Sequence, residues 1–186
     1  AQRFKEIAYL NPGLGISLTQ KATGQSHTYR YEGGIVSMVE EFNQGRETLH
    51  PTISLNGTAE STQVEVALQY TTNVSEASYA FANCIHTMEG GTHVTGFRAA
   101  LTRALNDYAR KQKLLKDDQG NLSGDDVREG LTSVLSVKLL EPQFEGQTKA
   151  KLGNAEVKPI VESVVTEHLT IYLEDHPNES RRILER

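Results

Sequence analysis

The sequence has no tryptophan, a single cysteine and no apolar run of the length that crosses a membrane. The one cysteine, Cys84, cannot form an intramolecular disulfide, and such low cysteine content is typical of a reducing cytoplasm. No cysteines and histidines are spaced as metal ligands, so we predict no metal site. Residues 1–5 lack the apolar core of a signal peptide. These absences predict a cytoplasmic protein without membrane contact.

Composition limits the size and charge of the protein. A chain of 186 residues, 37% of them hydrophobic, can bury the core of one or at most two domains. Its net charge of −5 argues against a protein that simply coats nucleic acid. The charge is uneven, because six Lys or Arg and only one acidic residue lie between Gly90 and Lys116. That segment carries +5 and the rest of the chain −10, which predicts a localised basic helix.

Three segments have the apolar pattern of core strands. Val64–Tyr70 alternates apolar and polar residues, and Leu131–Leu140 is a largely apolar run typical of a buried strand. Tyr79–Ile85 is predicted to be the antiparallel neighbour of Val64–Tyr70. Two shorter segments, Leu14–Leu18 and His27–Tyr31, are predicted to form a strand pair around a turn.

Two segments have the period of long helices. Thr92–Lys113 carries a continuous apolar stripe, with Thr92 as its predicted N-cap. Within it, His93 is predicted to make a capping or core hydrogen bond. Glu156–Leu173 carries a second stripe, and Pro159 is compatible with that helix only in its first turn. Shorter helices are predicted at Phe4–Leu10, at Ile35–Phe42, between Ser123 and Gly130, and from Asn178 onward. These elements predict an α+β fold, a roughly four-stranded sheet with two long helices packed on one face.

A polar loop, Phe144–Gly153, lies between the last core strand and the second long helix. Because core elements hold both of its ends, the loop can present Lys149 at a defined place. A lysine pairs with a terminal phosphate as a compact point charge, and the Gln147 amide can donate to the same oxygens. Polar loops with a lysine are common, so this pattern alone does not establish a site.

Three motifs precede that loop in a fixed order, and a fourth includes it. They are Tyr31-Glu32-Gly33-Gly34-Ile35, Glu89-Gly90-Gly91-Thr92-His93, Val127-Arg128-Glu129-Gly130-Leu131 and Pro142-Gln143-Phe144 followed by Gln147-Thr148-Lys149. In this order they closely resemble the transducer domain, the second domain, of the DNA gyrase B family. The homologous topoisomerase IV subunit, also a type IIA DNA topoisomerase, has the same motifs. The resemblance covers nearly the whole chain.

The resemblance implies a fold and domain boundaries. The fold it implies is of the ribosomal protein S5 domain 2-like class, with a βαβ crossover. Residues 1–10 are then the end of a preceding helix or a linker, residues 11–177 the transducer domain, and residues 178–186 the start of a helix leading to the next domain. ATP and Mg²⁺ are expected to bind mainly to an N-terminal ATPase domain of the same subunit, outside this chain, so this stretch alone is expected to be inactive.

The resemblance also implies roles for individual residues. Lys149 is expected to reach the γ-phosphate of ATP with the assistance of Gln147, so that the loop contributes to hydrolysis and senses the phosphate. Arg98 is expected to line a cavity in which two copies of the subunit enclose duplex DNA. Arg103 and Arg110 are candidates for the same DNA-facing surface or, alternatively, for a solvated helix face. Arg98 could instead be partly buried beside an acidic partner.

The expected function is to couple ATP binding and hydrolysis to DNA strand passage and negative supercoiling, together with a gyrase A-type subunit. One alternative is a topoisomerase IV subunit, whose task is decatenation. Another is a standalone S5-like nucleic-acid-binding module without any link to ATP. That module is expected to bind duplex DNA tightly at moderate salt, which the acidic net charge argues against.

Overall fold

The computed structural model describes all 186 residues, which form six helices and nine strands. The helices are α1 (Gln2–Leu10), α2 (Gly34–Phe42), α3 (Thr92–Lys111), α4 (Gly124–Arg128), α5 (Val157–Asp175) and α6 (Pro177–Leu184). The strands are β1 (Ile16–Thr19), β2 (Ser26–Tyr29), β3 (Ile53–Ala59), β4 (Thr62–Tyr70), β5 (Ala77–Ala82), β6 (Ile85–His86), β7 (Leu131–Lys138), β8 (Phe144–Glu145) and β9 (Lys151–Leu152). No helix combines the length and the apolar character needed to cross a bilayer.

The central sheet has five strands in the order β3-β4-β7-β5-β6. Strand β4 pairs antiparallel with β3 and with β7, whereas β5 and β7 are parallel and are connected through α3 and α4. The prediction of a continuous buried strand at Leu131–Leu140 is confirmed, because β7 lies in the middle of the sheet and is buried from Leu131 to Val137. The sheet is therefore mixed, with one parallel crossover.

Helices cover both faces of this sheet. On one face α3 and α5 pack on each other and contribute to a core of 27 buried hydrophobic residues, which confirms the two long helices predicted there. On the other face α1 and α2 contribute to a separate cluster of eight buried residues. The strands thus lie between a layer of long helices and a layer of short ones, and the fold is α+β.

Two predictions about the sheet are wrong. The first concerns Tyr79–Ile85, which is not the antiparallel neighbour of β4; its main part, β5, pairs parallel with β7 on the far side. A turn at Asn83 and Cys84, with φ of 46° and 64°, also separates β5 from β6. The second concerns the sheet predicted to have roughly four strands, which has five. The sequence pattern does not reveal β3, and the turn at Asn83 and Cys84 makes β6 a separate strand.

Two further predictions agree with the structure, and the predicted N-cap of α3 does not. Strands β1 and β2 pair antiparallel as predicted, but they form a separate, largely exposed sheet instead of joining the central one. Helix α5 starts at Val157, so Pro159 lies in its first turn as required. Thr92 is not an N-cap: it is the first residue of α3, and Gly91 precedes it without a side-chain capping bond.

Candidate functional site

The polar loop is mounted on a small hairpin. Strands β8 and β9 pair antiparallel, Phe144 opposite Leu152 and Glu145 opposite Lys151, with 3.1 Å between Lys151 Nζ and Glu145 Oε2. Leu152 is fully buried in the large core and anchors the returning strand. The sequence predicted a loop here but no hairpin, because strands of two residues are too short to show a period.

The tip of the hairpin presents polar side chains to solvent. Gln147, Thr148 and Lys149 are exposed, and no side chain or carbonyl of the chain bonds the Lys149 ammonium or the Gln147 amide. Lys149 also has a left-handed backbone, with φ of 54°. That conformation costs a non-glycine residue about 1–2 kcal/mol. The fold therefore keeps a cation and an amide outward and available to a ligand.

Asn154 closes the base of the hairpin. Its side chain is buried; Oδ1 accepts from the Gln143 amide at 2.6 Å, and Nδ2 donates to Glu141 O at 3.0 Å. Nδ2 also donates to Glu156 Oε1 at 2.8 Å, and this bond holds the pKa of the Glu156 carboxyl below its usual range. Sequence reasoning missed Asn154, because its partners become neighbours only when the hairpin closes.

The hairpin is also bonded to the turn that precedes α3. The Glu89 amide donates to Ala150 O at 2.9 Å, and the Leu152 amide donates to Gly90 O at 3.1 Å. Gly91 and Leu152 form a parallel bridge. The loop that carries Lys149 is thus connected, through main-chain bonds, to the turn that leads into the basic helix.

His93 is a core residue, as predicted. It is fully buried, and its Nε2 lies 2.9 Å from Thr87 Oγ1, while the Thr87 hydroxyl donates to Ala80 O at 3.0 Å. Since that hydroxyl has one proton, Nε2 is the donor to it and Nδ1 is left bare and without a partner. Burial lowers the pKa of His93 to about 4, so the imidazole is neutral at neutral pH.

Arg98 belongs to a small network of charges beside the start of α3. Its Nη2 lies 3.5 Å from Glu76 Oε1, and its side chain is 45% exposed. Glu76 also contacts Arg128, whose Nε lies 3.3 Å from Oε2, and Arg128 in turn contacts Asp125 at 2.6 Å. Arg98 therefore has the acidic partner of the alternative prediction, but its side chain is exposed rather than buried.

The other two candidate arginines have different surroundings. Arg103 is exposed, as a residue facing DNA or solvent must be. Arg110 instead holds the segment after α3: its guanidinium donates to Asn121 Oδ1, to Lys116 O at 2.9 Å and to Gln119 O at 2.6 Å. These bonds give Arg110 a structural role, and its predicted contact with DNA stays a prediction.

The predicted polar face of α3 is partly covered. Asn106, which the helical period places opposite the apolar stripe, is buried; it donates to Leu122 O at 3.0 Å and accepts from the Leu122 amide at 2.7 Å. What stays open is a shallow groove of about 490 Å³ whose lining includes Arg98, Arg103 and Arg128. Arg98 and Arg103 of the predicted basic segment meet there with Arg128 of α4, whose side chain is mostly buried, and with the acidic Asp107.

The whole fold resembles solved ATPase fragments of type II topoisomerases. It superposes on the 43K ATPase domain of Thermus thermophilus gyrase B, in complex with an aminocoumarin, with a TM-score of 0.89 and 37% identity, over 99% of this chain and 50% of that one. It also superposes on the topoisomerase IV ATP-binding domain of Francisella tularensis, in complex with an inhibitor, with a TM-score of 0.84 and 26% identity over 99% of this chain and 50% of that one.

The particular family follows from sequence comparison. The family model described as DNA gyrase B matches residues 34–186, so the chain belongs to the DNA gyrase B family. It is 49% identical to the B subunit of DNA gyrase from Halalkalibacterium halodurans and 53% identical to that from Streptococcus pneumoniae, in each case over all of this chain. The chain spans only 30% and 29% of the length of these two relatives.

These matches also bear on the expectation that the ATPase domain lies outside this chain. That expectation is not supported, because 99% of the chain matches half of a solved chain described as an ATPase domain.

Proposed function

We propose that this chain is the half of the gyrase B ATPase fragment that transmits nucleotide state, the transducer, with an S5-like fold. The observation that supports this most is the hairpin-mounted loop. It exposes a lysine and a glutamine that have no protein partner, yet its base is fixed by a buried asparagine. A loop of this kind is suited to a ligand that is bound mainly by another part of the protein, since this chain contacts only one end of the ligand.

Lys149 is proposed to contact the γ-phosphate of ATP, and Gln147 to donate a second bond to the same group. A cation aimed at the phosphate stabilises the charge that shifts toward the leaving oxygens during hydrolysis. When the γ-phosphate leaves, the lysine loses its partner and the loop is released. ATP is a substrate here, and residues outside this chain are proposed to bind most of it.

Mg²⁺ is not assigned to any residue of this chain. No group of three or more histidine, cysteine, aspartate or glutamate side chains is gathered into a metal-sized site. The hairpin tip offers only an amide, a hydroxyl and an ammonium, and the ammonium repels a cation. The metal that accompanies ATP is therefore proposed to be held by carboxylate or amide groups of the rest of the subunit.

Duplex DNA is the second proposed partner. The groove lined by Arg98, Arg103 and Arg128 can contact phosphates, and two copies of the subunit are proposed to enclose the duplex there. The full subunit, with a gyrase A-type subunit, is proposed to couple ATP hydrolysis to strand passage and negative supercoiling. Decatenation by the holoenzyme without supercoiling would favour the topoisomerase IV alternative.

The proposed domain boundaries change slightly. The family model begins at residue 34, and residues 16–29 form a separate, exposed strand pair. We therefore place the start of the transducer near residue 34 rather than at residue 11, and assign residues 1–33 to the preceding part of the subunit. Residues 178–186 are still proposed to lead to the next domain, although α6 packs on the body through Ser180 and Ile183.

The test is the Lys149→Ala substitution in the full-length subunit. Turnover of ATP should fall roughly a hundredfold, because one lost transition-state donor costs about 3 kcal/mol. Lys113→Ala is a matched control, since Lys113 is also an exposed lysine with a left-handed backbone, φ 58°, at the far end of α3. Equal turnover of the Lys149 variant and the control would remove Lys149 from the mechanism.

A further inference from the structure

The segment that follows the lysine loop packs against two glycines, Gly91 just before α3 and Gly96 within it. At Gly91, with φ of 134°, a Cβ atom would lie 2.3 Å from Leu152 O and 2.5 Å from Leu152 N. At Gly96, inside α3, a Cβ atom would lie 2.5 Å from Lys158 O in the first turn of α5. Real Cβ atoms do not approach a backbone atom so closely, so only glycine permits both contacts.

These contacts join two places that have separate proposed roles. Strand β9, which follows the lysine loop, packs on Gly91. The start of α5, which follows β9 in the chain, packs on Gly96. Arg98 lies two residues beyond Gly96 on the same helix. A displacement of β9 cannot be absorbed at Gly91 without breaking the main-chain bonds from Leu152 to Gly90 and from Glu89 to Ala150.

We propose that Gly91 and Gly96 are positioning residues for Lys149, and that the hairpin and the first half of α3 move as one body. The engagement of Lys149 by phosphate is then transmitted to Arg98 through main-chain contacts rather than through a flexible linker. This inference rests on the proposed function, because it needs Lys149 to meet the nucleotide. The inference adds the element that carries the signal from the loop to Arg98. That element is backbone packed directly on backbone.

The first test measures ATP turnover of the full-length subunit, assembled with its partner subunit, carrying Gly91→Ala. We expect kcat/KM for ATP to fall at least tenfold while the affinity for ADP stays unchanged, because only the lysine that meets the γ-phosphate is misplaced. Gly45→Ala is the matched control: its φ is 78°, but its Cβ meets nothing within 4 Å. A purely structural role predicts a lower melting temperature with an unchanged kcat/KM per folded molecule, and that result would overturn the proposal.

Lys149→Ala is measured in the same series, so that the two ideas fail separately. If Lys149→Ala keeps full turnover, the proposed function is wrong. If Lys149→Ala loses turnover while folded Gly91→Ala and Gly96→Ala both keep it, the positioning role is wrong and the proposed function stands.

A second test needs no variant and is unaffected by misfolding. Hydrogen exchange of the wild-type subunit is followed with and without a non-hydrolysable ATP analogue. We expect slower exchange in residues 144–153 and, to a similar degree, in residues 87–98. Protection of the hairpin alone, with no change in residues 87–98, would contradict movement as one body.

Discussion

The burial of His93 predicts that the stability of the fold depends on pH. Its pKa is lowered to about 4 in the folded state, whereas an exposed histidine titrates near 6.5. Above pH 6.5 both states are neutral and the full stability is present; as the pH falls toward 4, only the unfolded state takes up the proton. The free energy of unfolding should therefore decrease by up to about 3 kcal/mol over that interval.

Urea unfolding of the chain at a series of pH values measures this effect, with His93→Gln as the comparison. The glutamine amide can still donate to Thr87 but does not titrate, so the dependence between pH 6.5 and 4 should become weaker. Part of it should remain, because burial also lowers the pKa of His50, whose Nε2 accepts from the Tyr70 amide at 3.0 Å. An identical pH dependence in both proteins would show that His93 is not the group responsible.

If the proposed groove binds DNA, Glu76 competes with the phosphates for its arginines. It lies 3.5 Å from Arg98 and 3.3 Å from Arg128, so its removal frees the Arg98 guanidinium, whereas Arg128 keeps its bond to Asp125. Glu76→Gln should raise the affinity of the full-length enzyme for duplex DNA. It should also steepen the slope of log affinity against log salt by about one unit, the change expected for one added phosphate contact.

Arg98→Gln should change both quantities in the opposite direction. Glu32→Gln is a control for charge, because Glu32 is exposed, pairs with Arg30 just after β2 and does not line the groove. If Glu76→Gln has no more effect than this control, the groove does not bind DNA and Arg98 is a structural ion-pair residue.

Among the elements, the hairpin β8–β9 depends on Asn154. Asn154→Ala removes the bonds that the buried amide makes to the Gln143 amide and to Glu141 O, and each such bond contributes about 0.5–1.5 kcal/mol. We expect lower stability and faster amide exchange across residues 143–153. Asn56→Ala removes an exposed asparagine that bonds only Ser54, and it should change neither quantity. Slow exchange of the hairpin in the Asn154 variant would show that β9 and Gly91 suffice to hold it.

The elements also show how much of the fold is predictable from the sequence. Strands β4 and β7 and helices α3 and α5 have strong periods, and all four lie close to their predicted bounds. Strand β3 escapes prediction, although Ile53 and Leu55 alternate with polar residues, because Gly57 stands where a third apolar side chain is expected. A Cβ there would lie 2.8 Å from Val164 Cγ1, so the close approach of α5 removes the signal.

The turn between β3 and β4 is a second reason why the sequence does not predict β3. The β3–β4 hairpin turns at Glu60 and Ser61, which both have positive φ, 48° and 65°. A two-residue turn with this backbone usually contains Asn-Gly or Asp-Gly, and Glu-Ser gives no such signal. The parallel pairing of β5 with β7 is unpredictable for a different reason: it joins strands that are about 50 residues apart, whereas nearness in sequence suggests a simple hairpin.

At the scale of the whole molecule, the charge asymmetry predicts a basic helix but not how its residues are used. Arg110 and Asn106 hold the segment between α3 and α4, so less of α3 is free for DNA than the charge of +5 between Gly90 and Lys116 suggests. The site loop is recognisable only through its motifs, because nothing in its local pattern distinguishes Lys149 from an ordinary surface lysine. The fold adds the residues that hold the loop in place, Asn154 and Gly91. Their role depends on long-range contacts.

The central claim is that Lys149 recognises the γ-phosphate, and the most direct measurement is nucleotide discrimination by the full-length subunit. Calorimetry gives the affinity for a non-hydrolysable ATP analogue and for ADP, in wild type, in Lys149→Ala and in the Lys113→Ala control. Losing one charge-assisted bond costs about 1.5–3 kcal/mol, so the preference for the triphosphate should fall roughly tenfold or more in Lys149→Ala, with ADP affinity unchanged. An unchanged ratio of the two affinities would contradict the account.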